Sequence, residues 1–279
     1  MEKYIIVLII VLILIISIIY SHFKIDITNF NVKDKRIDKE LKILFLSDLH
    51  NRNIVKKLIP IINNINPDII IFGGDMIDDT KKESNHFFEL YNYLKKYKLY
   101  YTFGNHEERM EDEDKELFNK LLSKTNINIV NNSTIDITDN IKLLGLDNEI
   151  ETYLKFGKKG LSKDYIVSKL GKIDEKKYNI LVSHNPLEFD SYVEYNADLV
   201  LSGHIHGGIV RVPFIKGLLS PDISFFPKYD NGEYNLKNTK MIVSRGLGYS
   251  KRIPFRIFNP AHVVVINLKS DLWYNKNEV

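Results

Sequence analysis

An α/β domain built on two sheets and carried behind one membrane-spanning helix is what this sequence of 279 residues predicts. Three observations carry that reading: an uncharged apolar run at the amino terminus, a strand-helix-strand-helix-strand rhythm up to Phe103, and closely spaced apolar runs beyond it.

From Tyr4 to Tyr20 the chain carries no charge, and Ser17 is its only small polar residue. That length is near the lower limit for crossing the hydrocarbon core, and a tyrosine stands at each end as interfacial anchors do. A cleaved signal peptide would need a shorter apolar centre and a small-x-small site, which Ile18-Ile19-Tyr20-Ser21 does not offer. Residues 1–22 are therefore expected as an uncleaved anchor, 23–40 as a polar tether, and 41–279 as the catalytic domain. Lys24, Lys33, Lys35, Arg36 and Lys39 follow the span, so the charge count by itself places the domain in the cytoplasm.

The short apolar run Leu41 to Leu46, ending in Ser-Asp-Leu-His, reads as a buried strand that delivers its carboxyl end to a site. Ile54 to Ile65 has helical spacing, with Pro60 expected to kink or delay the helix. Ile69 to Phe72 is the next strand, and Gly73-Gly74 permits a tight turn before Asp75. Ser84 to Tyr97 predicts an amphipathic helix and Leu99 to Phe103 a third strand. The acidic stretch Glu107 to Glu116 opens another helix. Ile127 to Val130, Thr134 to Thr138 and Ile141 to Leu146 are spaced closely enough to predict antiparallel pairing in a second sheet. Further strands are expected at Tyr178 to Val182, Ala197 to Leu201, Met241 to Ser244 and Val263 to Leu268.

With 44% apolar residues the chain can bury a full core without a staple. It has no cysteine, which removes disulfides, thiolate nucleophiles and cysteine zinc sites together. Its net charge of +3 is nearly balanced, and no specific nucleic-acid binding is expected. The lysine-rich stretch from Lys155 to Lys177 reads as solvated surface.

Chemistry gathers at the strand ends. Asp48-x-His50, Asp75, Asn105-His106, His184 and His204-x-His206 each follow an apolar run. Taken alone, His50 could be hydrogen-bonded in a turn and Asp48 could cap a helix. Together, carboxylate, imidazole and carboxamide groups at so many strand ends form a donor set for two adjacent divalent cations, with Asp75 placed to bridge them. Mixed nitrogen and oxygen donors suit Mn, Fe, Zn or Mg.

The order and spacing of these clusters resemble the calcineurin-like metallophosphoesterase family, whose motifs read D-x-H, G-D, G-N-H-[DE], H and G-H-x-H. They stand here as SDLH from Ser47, GGDMID from Gly73, GNHEE from Gly104, VSHNP from Val182 and GHIHGG from Gly203. The chain is most similar to a membrane-associated bacterial branch, the YkuE-like and YaeI-like phosphodiesterases, through GGIVRVPF from Gly207 and SRGLGYS from Ser244. Ile209-Val210 stand where that branch commonly has a Gln.

The resemblance implies a two-sheet β-sandwich flanked by helices in four layers, αββα. It implies one cation on Asp48, His50, Asp75 and His206 and a second on Asp75, Asn105, His184 and His204. A hydroxide held between them would attack phosphorus, and His106 would protonate the leaving oxygen or steady the phosphoryl charge. The alternative for His106 is a structural histidine held by Glu107 or a backbone carbonyl. Asp78, Asp79 and Glu107 are the acidic residues placed to orient ligating imidazoles, or else lie at the surface. His22, His86 and His262 fall outside the motifs and are not expected as ligands.

Arg211 and Arg245 lie in glycine-bearing segments, where each could clasp a phosphate or form a structural salt bridge. Phe214, Phe225, Phe226, Tyr229 and Tyr234 could line an apolar pocket or pack the core. The expected substrate is a phosphodiester or pyrophosphate, lipid-linked or in the cell envelope, met by a domain on the extracytoplasmic face as the branch resemblance implies. The alternatives are a phosphomonoesterase or nucleotide phosphodiesterase acting on soluble substrates, and a metal-binding module without activity.

Overall fold

The computed structural model describes residues 1–79, 85–148, 150–153, 160–212, 215–221, 223–249 and 253–271. Ser84, the first part of the lysine-rich stretch (155–159), Phe214 and the last residues of the chain lie outside them. Helix α1 (Glu2–Phe23) is followed by β1 (Ile25–Asp34), β2 (Leu41–Leu46), α2 (Val55–Ile65), β3 (Ile69–Phe72), α3 (Asn85–Leu94) and β4 (Lys98–Tyr101). Then come α4 (Asn105–Glu108), α5 (Asp112–Leu122), β5 (Ile127–Ile129), β6 (Ser133–Asp136), β7 (Ile141–Leu146), α6 (Lys163–Leu170), β8 (Tyr178–Ser183), α7 (Phe189–Glu194) and β9 (Leu199–Ser202). The chain closes with β10 (Val210–Arg211), β11 (Gly217–Leu219), β12 (Gly232–Leu236), β13 (Thr239–Val243) and β14 (Ala261–Ser270).

The strands form two six-stranded sheets, ordered β1-β14-β2-β3-β4-β5 and β12-β13-β9-β8-β7-β6, and a small β10-β11 ribbon. Strand alternation builds the layers, because successive side chains leave opposite faces. Ile43 and Phe45 of β2 face Ile180 and Val182 of β8 in the core between the sheets. Leu44 and Leu46 instead pack outward against Leu58 and Ile62 of α2 and Phe87 and Leu90 of α3. On the far side, Leu181 and Val200 meet Ile166 of α6 and Tyr192 of α7. The result is the four-layer αββα arrangement. Strands β2, β3 and β4 run parallel, and β7, β8 and β9 do so in the other sheet. Their carboxyl ends deliver the loops that carry the chemistry.

Two expectations are corrected. The polar tether expected over 23–40 contains β1, ten residues paired in parallel with β14 from Ile25↔Ala261 to Asp34↔Ser270. It is an edge strand with Val32 inward and Ile27, Asn29, Asn31 and Lys33 outward, so its pattern is weak, and its partner lies at the other end of the chain. The segment Ile127–Ile129 does not open the second sheet but pairs in parallel with β4 at the edge of the first. Only β6 and β7 form the expected antiparallel pair.

Candidate metal centre

Tight loops after β2, β3, β4, β8 and β9 bring the motif residues into one buried cluster. Asp48, His50, Asp75, His204 and His206 all take positive φ, between 44° and 70°. Side chains other than glycine adopt that left-handed conformation at a cost, and a concentration of such residues marks a functional site. Gly74 and Gly104 allow the loops to meet, since a Cβ at Gly74 would lie 2.7 Å from His184 Nδ1 and one at Gly104 would collide with Asp75 Oδ1.

Asp75 Oδ2 stands at the middle. It lies 3.0 Å from His184 Nε2, 3.8 Å from His50 Nε2 and 3.9 Å from His106 Nε2. Asp48 Oδ1 is 3.6 Å from both His184 Nε2 and His206 Nε2. His50 Nε2 and His206 Nε2 approach to 3.1 Å. Three donor groups each fit around a single ion: Asp48, His50 and His206; Asp75, His184 and His204; and His50, Asp75 and His106. Asn105 is buried beside them, and the backbone N–H of its neighbour His106 donates to Asp75 Oδ1 at 2.9 Å.

Further contacts aim these groups. His50 Nδ1 meets Asp78 Oδ1 at 2.9 Å, and His184 Nδ1 donates to the Gly73 carbonyl at 2.7 Å, so each ring turns Nε2 inward. His106 Nδ1 lies 2.6 Å from Asp79 Oδ1. Glu107 orients no imidazole. Its buried carboxylate accepts the backbone N–H groups of Asp75, Met76 and Gly104 and the Tyr101 hydroxyl, joining the loops after β3 and β4.

Charge is distributed unevenly. Burial opposes ionisation of Asp75, but His184 and His106 overcome it and hold the carboxyl well below its ordinary value. Burial likewise pulls His184 and His106 down, yet neighbouring carboxylates, Asp75 first, lift them to about 10 and about 9. His206 is pushed well down by burial and then by His50 and Arg256.

The donor set fits divalent cations. Asp48 Oδ2 and Asn105 Oδ1 are buried oxygens without a hydrogen-bond partner, a costly state that a coordinated cation relieves.

Two neighbours lack any sequence signal. Arg256 is fully buried and donates from Nη2 to His206 Nδ1 at 3.1 Å, with burial lowering its pKa to about 9. Tyr153 sets its ring edge-on to His204 at 4.7 Å between centroids. Arg211 and Arg245 form ion pairs, at 2.8 Å, with Asp230 and Asp26. Tyr229 is buried in the core and Tyr234 packs against it, whereas Phe225 and Phe226 are exposed. The remaining histidines lie away from the donor set: His22 contacts Tyr249, His86 contacts Glu89, and His262 accepts the Arg245 N–H.

Carboxylates and imidazoles crowded at one end of a double-sheet α/β sandwich define a site for divalent-metal chemistry. Residues 41–208 match the family model described as calcineurin-like phosphoesterase, and the chain belongs to that family. An uncharacterized metallophosphoesterase of Campylobacter jejuni is 30% identical over 254 residues, 88% of this chain and 63% of that protein. YkuE of Bacillus subtilis, also an uncharacterized metallophosphoesterase, is 28% identical over 233 residues, 81% of this chain and 76% of its own. A zebrafish transmembrane protein with a metallophosphoesterase domain is 26% identical over 245 residues, 82% of this chain and 53% of its own. The chain thus spans less than two thirds of the Campylobacter relative and about half of the zebrafish one.

Proposed function

We propose that this chain is a membrane-anchored phosphodiesterase that cleaves a phosphodiester or pyrophosphate bond in a lipid-linked or cell-envelope molecule. Residues 1–22 are the anchor, 41–279 form the catalytic domain together with strand β1, and the domain works on the extracytoplasmic face. The convergence of Asp48, His50, Asp75, Asn105, His184, His204 and His206 carries this reading.

Two divalent cations, when bound, would supply positive charge for the phosphoryl oxygens and lower the pKa of water toward neutrality. Asp48, His50 and His206 would hold one and Asn105, His184 and His204 the other, with Asp75 between the two groups contributing to both. His106 is the acid: it is the least buried imidazole of those around Asp75 Oδ2, and the carboxylates around it keep a proton available for the leaving oxygen. Asp79 fixes the ring through Nδ1, leaving Nε2 to face substrate.

Support for membrane anchoring comes from α1, whose 22 residues have the length and apolar character of a span, and from the zebrafish relative's description as a transmembrane protein. A soluble phosphomonoester or nucleotide is the second reading. The pairing of Arg211 and Arg245 with carboxylates favours it, because each guanidinium already carries an anionic partner. Hydrolysis of bis-aryl phosphate, mono-aryl phosphate and a vesicle-borne lipid pyrophosphate, each with added Mn, tests the choice. Faster turnover of the diester and the lipid supports the first reading, and turnover of the monoester alone overturns it.

A further inference from the structure

Helix α1 is fastened to the catalytic domain along its last turns. Ser17 and Ser21 are its only buried residues, four apart on one face. Ser17 Oγ accepts the Phe258 N–H at 2.6 Å, and Ser21 Oγ accepts the Asn259 N–H at 3.0 Å. Arg52 donates to the His22 carbonyl at 2.7 Å, and the Lys57 ammonium sits 4.5 Å from the centre of the Phe23 ring.

This seating has a consequence for depth. The 22 residues of α1 extend about 33 Å, enough for a hydrocarbon core of about 30 Å. The stretch before Ser17 alone extends only about 22 Å, which is too short. The span therefore needs the turns already occupied by the domain, and the surface beside Ser17 lies up to about 9 Å along the helix from Phe23. That matches the depth to which interfacial protein surfaces penetrate.

The adjoining surface has the composition such a position requires. A cavity of about 320 Å³ brings Val212 and Ile215 next to Tyr20 and Phe258. On the same small ribbon, Phe225 bridges to Leu219 and the Phe226 N–H donates to the Leu218 carbonyl. Ile215, Ile223, Phe225 and Phe226 are 57%, 54%, 68% and 63% exposed, a concentration of large apolar side chains that water disfavours. Exposed Lys24 directly follows α1, and Arg52 and Lys57 contact its last two residues, placing cations where anionic headgroups would lie.

Resting on the reading of α1 as a membrane anchor, we propose that Val212, Ile215, Ile223, Phe225 and Phe226 form a second membrane contact, inserted into the bilayer interface beside α1. The domain then lies down on the membrane instead of swinging on a tether. Asn259 ties the metal loop to this contact, since its Nδ2 donates to the His206 carbonyl at 2.7 Å while its N–H donates to Ser21. The donor cluster is thereby held at headgroup level, where a phosphoester of a lipid can reach it.

The absence of cysteine makes the test direct. Full-length single-cysteine variants Leu12→Cys in α1, Ile215→Cys, Phe225→Cys and Lys172→Cys, the last at the opposite end of the strands, are labelled with an environment-sensitive fluorophore. They are reconstituted into phosphatidylcholine and phosphatidylglycerol vesicles carrying spin-labelled lipid. Labels at 215 and 225 are expected to be quenched at least about twofold more than the label at 172. Quenching at 12 with 215 and 225 no different from 172 overturns the second contact and leaves the anchor standing. No quenching at 12 refutes the anchor and, with it, this inference.

Discussion

Asp75 and Glu107 hold each other's loops in place. The Glu107 carboxylate accepts the Asp75 N–H at 2.9 Å, while Asp75 Oδ1 accepts the N–H of His106, the residue just before Glu107. The shared aspartate of the donor set is thus positioned by the same turn that supplies His106. Burial and the Asp75 charge both push the Glu107 carboxyl up, and its backbone donors work against that rise.

Replacing Glu107 with Ala removes an acceptor from several buried N–H groups and the Tyr101 hydroxyl at once. Each buried donor left without a partner costs about 1 to 3 kcal/mol, so a total loss of about 3 to 5 kcal/mol is expected. Denaturant unfolding measures it directly, and metal affinity should fall alongside. A Glu107→Ala protein as stable as the parent would show that the turn is held by other means.

His106 is expected to matter to chemistry more than to metal binding. His106→Ala should lower kcat by about 10² to 10⁴ while leaving two metals per chain by elemental analysis. Loss of both metals together with activity would make His106 a ligand instead of the acid.

Asp147 offers a test away from the donor set. Burial, followed by the nearby Glu108, pushes its carboxyl up to about 8, against about 3.9 in an unfolded chain. Between those values the folded protein retains a proton that the unfolded chain releases, so this group's contribution to stability falls as pH rises from about 4 to about 8. Asp147→Asn keeps the acceptor that Asn131 Nδ2 reaches at 3.0 Å and removes the titration. Its melting temperature should exceed the parent's by a margin that widens from pH 5 to pH 8. A margin that stays constant over that range would show that Asp147 does not carry the shift.

The parts of this molecule legible in the sequence were those encoded locally. Asp48-x-His50 and His204-x-His206 can be found because two side chains at i and i+2 of a turn reach one point, and because each follows a short, largely apolar buried strand. Strands β2, β3 and β7 were legible at their exact limits for the same reason: their side chains are almost all buried, so the apolar run is the strand. Strand β1 was not, since only one side of an edge strand needs apolar residues and its partner β14 lies more than 200 residues away. Arg256 and Tyr153 were invisible for another reason. Their place beside His206 and His204 depends on loops with no periodicity, and an isolated Arg or Tyr is normally surface or core. The same limit applies to Ser21 and Asn259, whose hydrogen bond joins the first helix to the loop before the last strand.

The most direct test is anomalous diffraction from crystals grown with Mn, on the parent and on Asp75→Ala. The parent should show two peaks about 3.5 to 4 Å apart, one beside Asp48, His50 and His206, the other beside Asn105, His184 and His204, with Asp75 between them. Asp75→Ala should lose at least one peak. A single peak in the parent, or two peaks that persist unchanged without Asp75, would contradict a metal pair organised around this aspartate.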